Sequence, residues 1–186
     1  MDPRFELVIA IVIIVAAIVV TAMVVLRQRR KAQLRRQFGP EYERTVREMG
    51  PTRADSVLLA REKRVEKFHI RDLTAEERQR FSSEWTAVQT RFVDDPEGAV
   101  AEADQLVGQL MEARGYPMGD FEQRAADVSV SHAHVVDHYR AAHQIAVRQG
   151  ERQASTEDLR NAIIHYRALF TDLLAASTPG RGKAVA

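Results

Sequence analysis

The densest group of residues that could do chemistry is the histidine-rich segment SHAHVVDHYRAAH at residues 131–143. Imidazole nitrogens bind transition metals and transfer protons near neutral pH. On a continuous helix, His134 and His138 lie one turn apart on one face, as a two-ligand metal site requires, and Asp137 can orient or ligate. A metal site also needs a third or fourth ligand from elsewhere, and the side chains of this segment point in several directions: His132, His134, Asp137, His138 and His143. We therefore expect polar helix residues here, with no metal and no cofactor, and keep a metal-binding or enzymatic helical bundle as the alternative.

Other catalytic patterns are weaker. Glu66 and His69 form one Glu-x-x-His unit, but di-iron carboxylate bundles need two such units and two further glutamates. The chain has no cysteine, which excludes disulfides, thiolate ligands and thiol nucleophiles. No phosphate-binding glycine loop or hydrolase elbow is present. We expect a protein that is not an enzyme.

The elements that would position these residues begin with an apolar segment. Leu7–Leu26 reads LVIAIVIIVAAIVVTAMVVL, without a charge, and a helix of that length matches a hydrocarbon core of about 30 Å. A cleaved signal peptide has a shorter apolar region behind a positive start, whereas MDPRFE is nearly neutral. The sequence therefore predicts a single transmembrane helix within residues 1–26.

Charge sets the orientation of that helix. Residues 27–38 form a basic juxtamembrane segment without an acid, whose basic side chains are Arg27, Arg29, Arg30, Lys31, Arg35 and Arg36. The positive-inside bias places the C-terminal side in the cytoplasm and the N-terminus outside, and these six residues are candidates for lipid headgroup contact. The rest of the chain is mildly acidic, so we expect no nucleic-acid partner.

Beyond the basic segment, periodicity and caps predict helices only. Gly39-Pro40 and Gly50-Pro51 should separate short helices, and Thr74 with Glu77 forms a capping box before the aromatic stripe of the next helix. Asp95 caps a helix that ends near Gly115. A long helix is expected from Asp120 to Gln149 and a last one from Glu157 to Ala175. The fold class is all-α: a transmembrane helix followed by an irregular bundle of five or six helices.

One resemblance rests on FVDDPEGAVAEADQLVGQLMEARGYP, DFEQRAADVSVSH and STEDLRNAIIHYRALFTDLL. Residues 73–174 resemble an uncharacterised family of bacterial proteins of unknown function, in which a membrane segment precedes this helical region. The resemblance implies a bacterial source. It implies no activity, substrate or binding residue.

These observations give four regions: an anchor (1–26), the basic segment (27–38), a soluble helical domain (39–176) and a disordered tail (177–186). We expect a single-pass protein of the bacterial inner membrane whose cytoplasmic domain is a tethered interaction or scaffold module. Its partners would be the lipid bilayer and a second protein or another copy of the chain. A further alternative is an extracytoplasmic envelope or stress-related binding protein with the reverse topology.

Overall fold

The computed structural model describes residues 3–151 and 153–176, with side chains from residue 14 onward. Within those ranges the chain forms eight helices and no strand, which confirms the all-α class. The helices are α1 (Pro3–Phe38), α2 (Pro40–Met49), α3 (Pro51–Val65), α4 (Ala75–Arg91), α5 (Pro96–Ala113), α6 (Phe121–Val128), α7 (Val136–Gly150) and α8 (Thr156–Ala175). The predicted tail, residues 177–186, lies outside the described part.

Two single glycines connect the first three helices. Gly39 and Gly50 have φ values of 46° and 80°, a left-handed backbone that glycine adopts without a Cβ penalty, and a proline opens the helix after each. Arg35 pairs with Glu43 across Gly39, and Arg61 pairs with Glu41 across Gly50. Each pair spans its glycine, so α2 folds back on both of its neighbours. Helices α1 and α3 are also in contact with each other.

The main core lies among α4, α5, α7 and α8. The predicted aromatic stripe of α4 turns inward, and the Trp85 and Phe170 rings stack with centroids 4.6 Å apart. Both halves of the predicted capping box at Thr74 and Glu77 form. A second, smaller cluster joins α1, α2 and α3 through Leu34, Phe38, Tyr42 and Leu58. The end of the basic segment is thus packed against the helices that follow it.

The predicted helix from Asp120 to Gln149 is wrong in one respect, because the chain leaves the helical path between α6 and α7. Ser129 is buried, and its hydroxyl donates to the Ala126 carbonyl, a local bond that competes with the helical ladder. Val130 then packs against the second cluster. Residues 129–135 form a turn, so the part of the chain after α1 has seven helices instead of five or six.

Among the residues whose side chains are described, no helix combines the length and apolar character that a membrane crossing needs. The predicted anchor starts at Leu7, so the side chains of residues 7–13 lie outside that part.

Candidate functional site

The basic segment of α1 divides its six cations among different surroundings. The Arg35 guanidinium lies 3.5 Å from a Glu43 carboxylate oxygen and 5.4 Å from the centre of the Tyr42 ring. Arg29 and Arg36 line a shallow surface with Gln33 and Gln37. The remaining three, Arg27, Arg30 and Lys31, lie on the side of α1 that faces α3. Helical spacing explains the division, since positions three and four apart share a face.

A groove of about 520 Å³ lies between α1 and α3. Its α1 wall carries the three cations, and its α3 wall carries Thr52 and Ser56. Within the described part of the chain, none of these cations forms an ion pair. The further lining residues are Gln28, Leu34, Asp55 and Leu59.

One acid also lines this groove. The Asp55 Oδ1 atom accepts a hydrogen bond of 3.0 Å from the Tyr42 hydroxyl. Burial and this carboxylate raise the pKa of Tyr42 above its usual value, so the phenol stays a donor. With three cations against one carboxylate, the groove has a net positive charge, and it suits an anion.

The part of α1 that precedes the groove has an exposed apolar surface. Every described side chain from Ile14 to Leu26 is exposed, and Ile18 reaches 62%. Burial of large aliphatic side chains is favourable by about 25 cal/mol per Å² of apolar surface, and contiguous exposed patches of this kind mark interaction surfaces. Some apolar environment outside this chain should cover the segment.

The histidine-rich segment does not form the site that a continuous helix predicted. His134 lies in the turn before α7, and its Nε2 atom is 3.1 Å from Asp172 Oδ1. His138 lies on α7, and its Nδ1 atom is 2.8 Å from the Nδ1 of His165. The two residues therefore approach partners about two turns apart on α8. Among the described residues, no hydrogen bond or ion pair joins Asp137 to either of them.

His132 and His143 have separate surroundings. His132 is buried, with Nδ1 2.5 Å from Asp172 Oδ2, and the His143 ring stacks on Phe121 with centroids 3.6 Å apart. Burial holds the pKa of both imidazoles below the usual value, although Asp172 opposes the shift at His132. Burial and the neighbouring His138 also lower the pKa of His165. These rings are therefore kept neutral near pH 7.

Among the described residues, no group of three or more His, Asp or Glu side chains is arranged to hold a metal ion. His132, His134 and Asp172 form a linked network in which one carboxylate accepts from two imidazoles. That arrangement joins the turn at residues 129–135 to α8.

No family model, curated protein or solved structure matches this chain. The resemblance of residues 73–174 to an uncharacterised bacterial family therefore stays a prediction.

Sequence patterns did not indicate two of the groups that organise these regions. Asp172 lies on the last helix and collects both His132 and His134. Glu41 is fully buried and pairs with Arg61 and Arg140. Neither acid belongs to a motif, because each acquires its partners from segments that are distant in the chain. In the sequence, each of them was visible only as one acidic residue on a predicted amphipathic helix.

Proposed function

We propose that this chain is a single-pass membrane protein whose helical domain is held at the cytoplasmic face of a bacterial inner membrane as an interaction or scaffold module. The observation that carries the proposal is the exposed apolar surface of α1 from Ile14 to Leu26. Large aliphatic side chains lie on all sides of this stretch, so one packed face would not cover them. A hydrocarbon environment would surround them completely.

The dimensions of α1 support a membrane location. Its backbone is helical without interruption from Pro3 to Phe38, and Leu7–Leu26 is free of charge. At about 1.5 Å per residue, those positions match a bilayer core of about 30 Å. A helix is also the structure that satisfies every backbone hydrogen bond of a single segment in lipid.

The charge around the apolar run supports the orientation. Six basic residues follow the run directly, whereas Arg4 is the one basic side chain before it. Basic residues within about 15–20 positions of a span favour the cytoplasmic side. The helices from α2 onward would then lie in the cytoplasm.

The separation of His134 from His138 supports interaction over catalysis. His134 and His138 have different partners on α8, and a general acid–base site needs groups that converge on one reacting atom. A tethered domain can act without chemistry, because confinement to a surface raises its effective concentration for membrane-bound partners. Such a partner would be another membrane-associated protein or a second copy of this chain.

A topology reporter tests the proposal. We expect a fluorescent protein fused after Ala186 to fold in the cytoplasm and to resist protease added to intact cells. In a matched variant with all six basic residues of the juxtamembrane segment changed to glutamine, part of the population should invert because the orientation signal is gone. Digestion of the wild-type fusion in intact cells would contradict the cytoplasmic placement and favour the extracytoplasmic alternative.

A further inference from the structure

The groove between α1 and α3 concentrates the free cations of the basic segment on one side of the helix. Arg27, Arg30 and Lys31 line it, and none of them forms an ion pair within the described residues. Arg35, by contrast, already contacts Glu43. The groove cations are thus available to a ligand, and their charges are held close together by the helical backbone.

The opposite wall supplies one free hydroxyl donor, that of Thr52, and little negative charge. Thr52 and Ser56 line the groove from the first turns of α3, and the first turn of this helix contains no acidic residue. The Ser56 hydroxyl donates to the Thr52 and Arg53 carbonyls of α3, whereas the Thr52 hydroxyl has no hydrogen-bond partner among the described residues. The partial positive charge at a helix start adds to the attraction of an anion. Asp55, whose Oδ1 accepts from Tyr42, is the one carboxylate in the lining.

The groove also lies at a defined level along α1. Thr52, at the start of α3, lines the same groove as Arg27, which directly follows the last apolar residue, Leu26. If the apolar run spans the bilayer, as the proposed function requires, the groove opens where lipid phosphates lie. Exposed Val25 and Leu26 would contact the acyl chains of the same lipid.

We propose that this groove is a binding site for the phosphate headgroup of an anionic phospholipid. The guanidinium groups of Arg27 and Arg30, the Lys31 ammonium and the Thr52 hydroxyl would donate to the phosphate oxygens. Arginine suits this role because its planar fork pairs with two phosphate oxygens at once. A bound lipid would join α1 to α3 and so fix the angle at which the domain leaves the membrane.

The test uses the full chain, purified in detergent and freed of lipid, and counts bound lipid by native mass spectrometry. Phosphatidylglycerol is the probe, and phosphatidylcholine and inorganic phosphate are the comparison ligands. We expect one phosphatidylglycerol per chain at concentrations where phosphatidylcholine and inorganic phosphate do not bind. The double variant Arg30→Gln/Lys31→Gln should bind phosphatidylglycerol about thirtyfold more weakly, from the usual contribution of two basic residues at an anionic surface.

The matched control is Arg29→Gln/Arg36→Gln, which removes the same charge from the same segment but outside the groove. We expect its affinity to change by less than about twofold, because neither residue lines the groove. Equal losses in the two double variants would indicate diffuse attraction and overturn the site. Circular dichroism verifies the fold of each variant. If the groove double variant is not helical, the single variants Lys31→Gln and Thr52→Val replace it. Each of these should weaken binding of phosphatidylglycerol.

The remaining outcomes are also decisive. A wild-type chain that binds phosphatidylglycerol no better than phosphatidylcholine, or that binds inorganic phosphate equally well, overturns the lipid site. Both results are obtained in detergent, so they do not test whether the chain is anchored in a membrane. The topology reporter tests that proposal separately.

Discussion

At the level of single residues, burial of imidazoles is the feature with a measurable consequence. His132 is 5% exposed, and burial lowers its pKa despite hydrogen bonding to Asp172. The charged groups that approach it are Asp172 on α8, Arg114 at the end of α5, and His134 in its own turn. An unfolded histidine titrates near pH 6.5. The unfolded chain therefore binds more protons than the folded chain as the pH falls below that value.

This difference predicts that acid weakens the fold. Stability from His132 should be fully present above about pH 6.5 and should decline as the pH falls further, because proton uptake favours the unfolded state. Urea denaturation of the detergent-solubilised chain at pH 7.5 and pH 5.5 measures the loss. His132→Asn, whose amide can still donate to Asp172, should lose less free energy of unfolding over this range than the wild type.

The control for this prediction is His69→Asn, at an exposed position, which should keep the wild-type pH dependence. His143 and His165 leave some dependence in every variant, because burial lowers the pKa of both. An unchanged pH slope in His132→Asn would show that His132 does not contribute.

Gly115 illustrates a residue whose type is dictated by backbone geometry. Its φ is 91°, and a Cβ there would collide with the His69 carbonyl oxygen. A side chain at this position would therefore be disfavoured both by the positive φ and by the nearby carbonyl. These two reasons explain the glycine that the sequence predicted at the C-terminal end of α5.

At the level of elements, a buried ion cluster connects the α1–α3 unit to the main bundle. Glu41 on α2 is fully buried, and its Oε1 atom accepts from Arg61 of α3 at 2.8 Å and from Arg140 of α7 at 3.1 Å. A second ion pair, Arg64 with Asp127, joins α3 to α6. These ion pairs accompany only a small apolar cluster. They should therefore contribute much of the contact between helices α1–α3 and the main bundle.

Removal of the Glu41 charge should therefore be costly. We expect Glu41→Gln to lower the free energy of unfolding by about 3–5 kcal/mol, because Arg61 and Arg140 would be left in a buried site without a counter-charge. Glu43→Gln is the matched control on the same helix. Its pair with Arg35 is exposed, so its effect should stay within about 1 kcal/mol.

Denaturation monitored by circular dichroism measures both variants. Comparable small losses in Glu41→Gln and Glu43→Gln would contradict the role assigned to the cluster. A local loss would be visible as faster proteolysis within α2 and α3, because that unit contributes few apolar contacts of its own.

At the level of the whole molecule, the apolar run and the folded helices have different solvent requirements. The main core buries its own stripes, including Trp85 against Phe170, whereas the side chains from Ile14 to Leu26 stay exposed. The helical bundle therefore covers its own apolar side chains. The apolar run of α1 needs an apolar environment from outside the chain.

This asymmetry predicts the behaviour of the chain in membrane fractionation. The wild type should remain in the pellet after an alkaline carbonate wash. Ala16→Asp/Ala17→Asp places two carboxylates at the centre of Leu7–Leu26, where each charge costs about 3 kcal/mol, and should release the protein. Ala16→Leu/Ala17→Leu changes the same positions without charge and should stay in the pellet. Release of the wild type would contradict the tether.

The sequence by itself determined the local features of this protein. Apolar spacing, the Thr74 capping box and the two Gly-Pro pairs determine where most helices begin and end, because those signals act within one or two turns. The six basic residues after Leu26 were equally visible, and they contain the three that line the groove.

Only the tertiary structure decided which of these residues meet. Within the break at residues 129–135, Val130 packs against the cluster of α1, α2 and α3, and the break separates His134 from His138. Asp172, Glu41 and Thr52 acquire their surroundings from elements remote in the chain. Helical periodicity gives the face on which a side chain lies, but packing between helices selects its partner, and that selection depends on the whole fold.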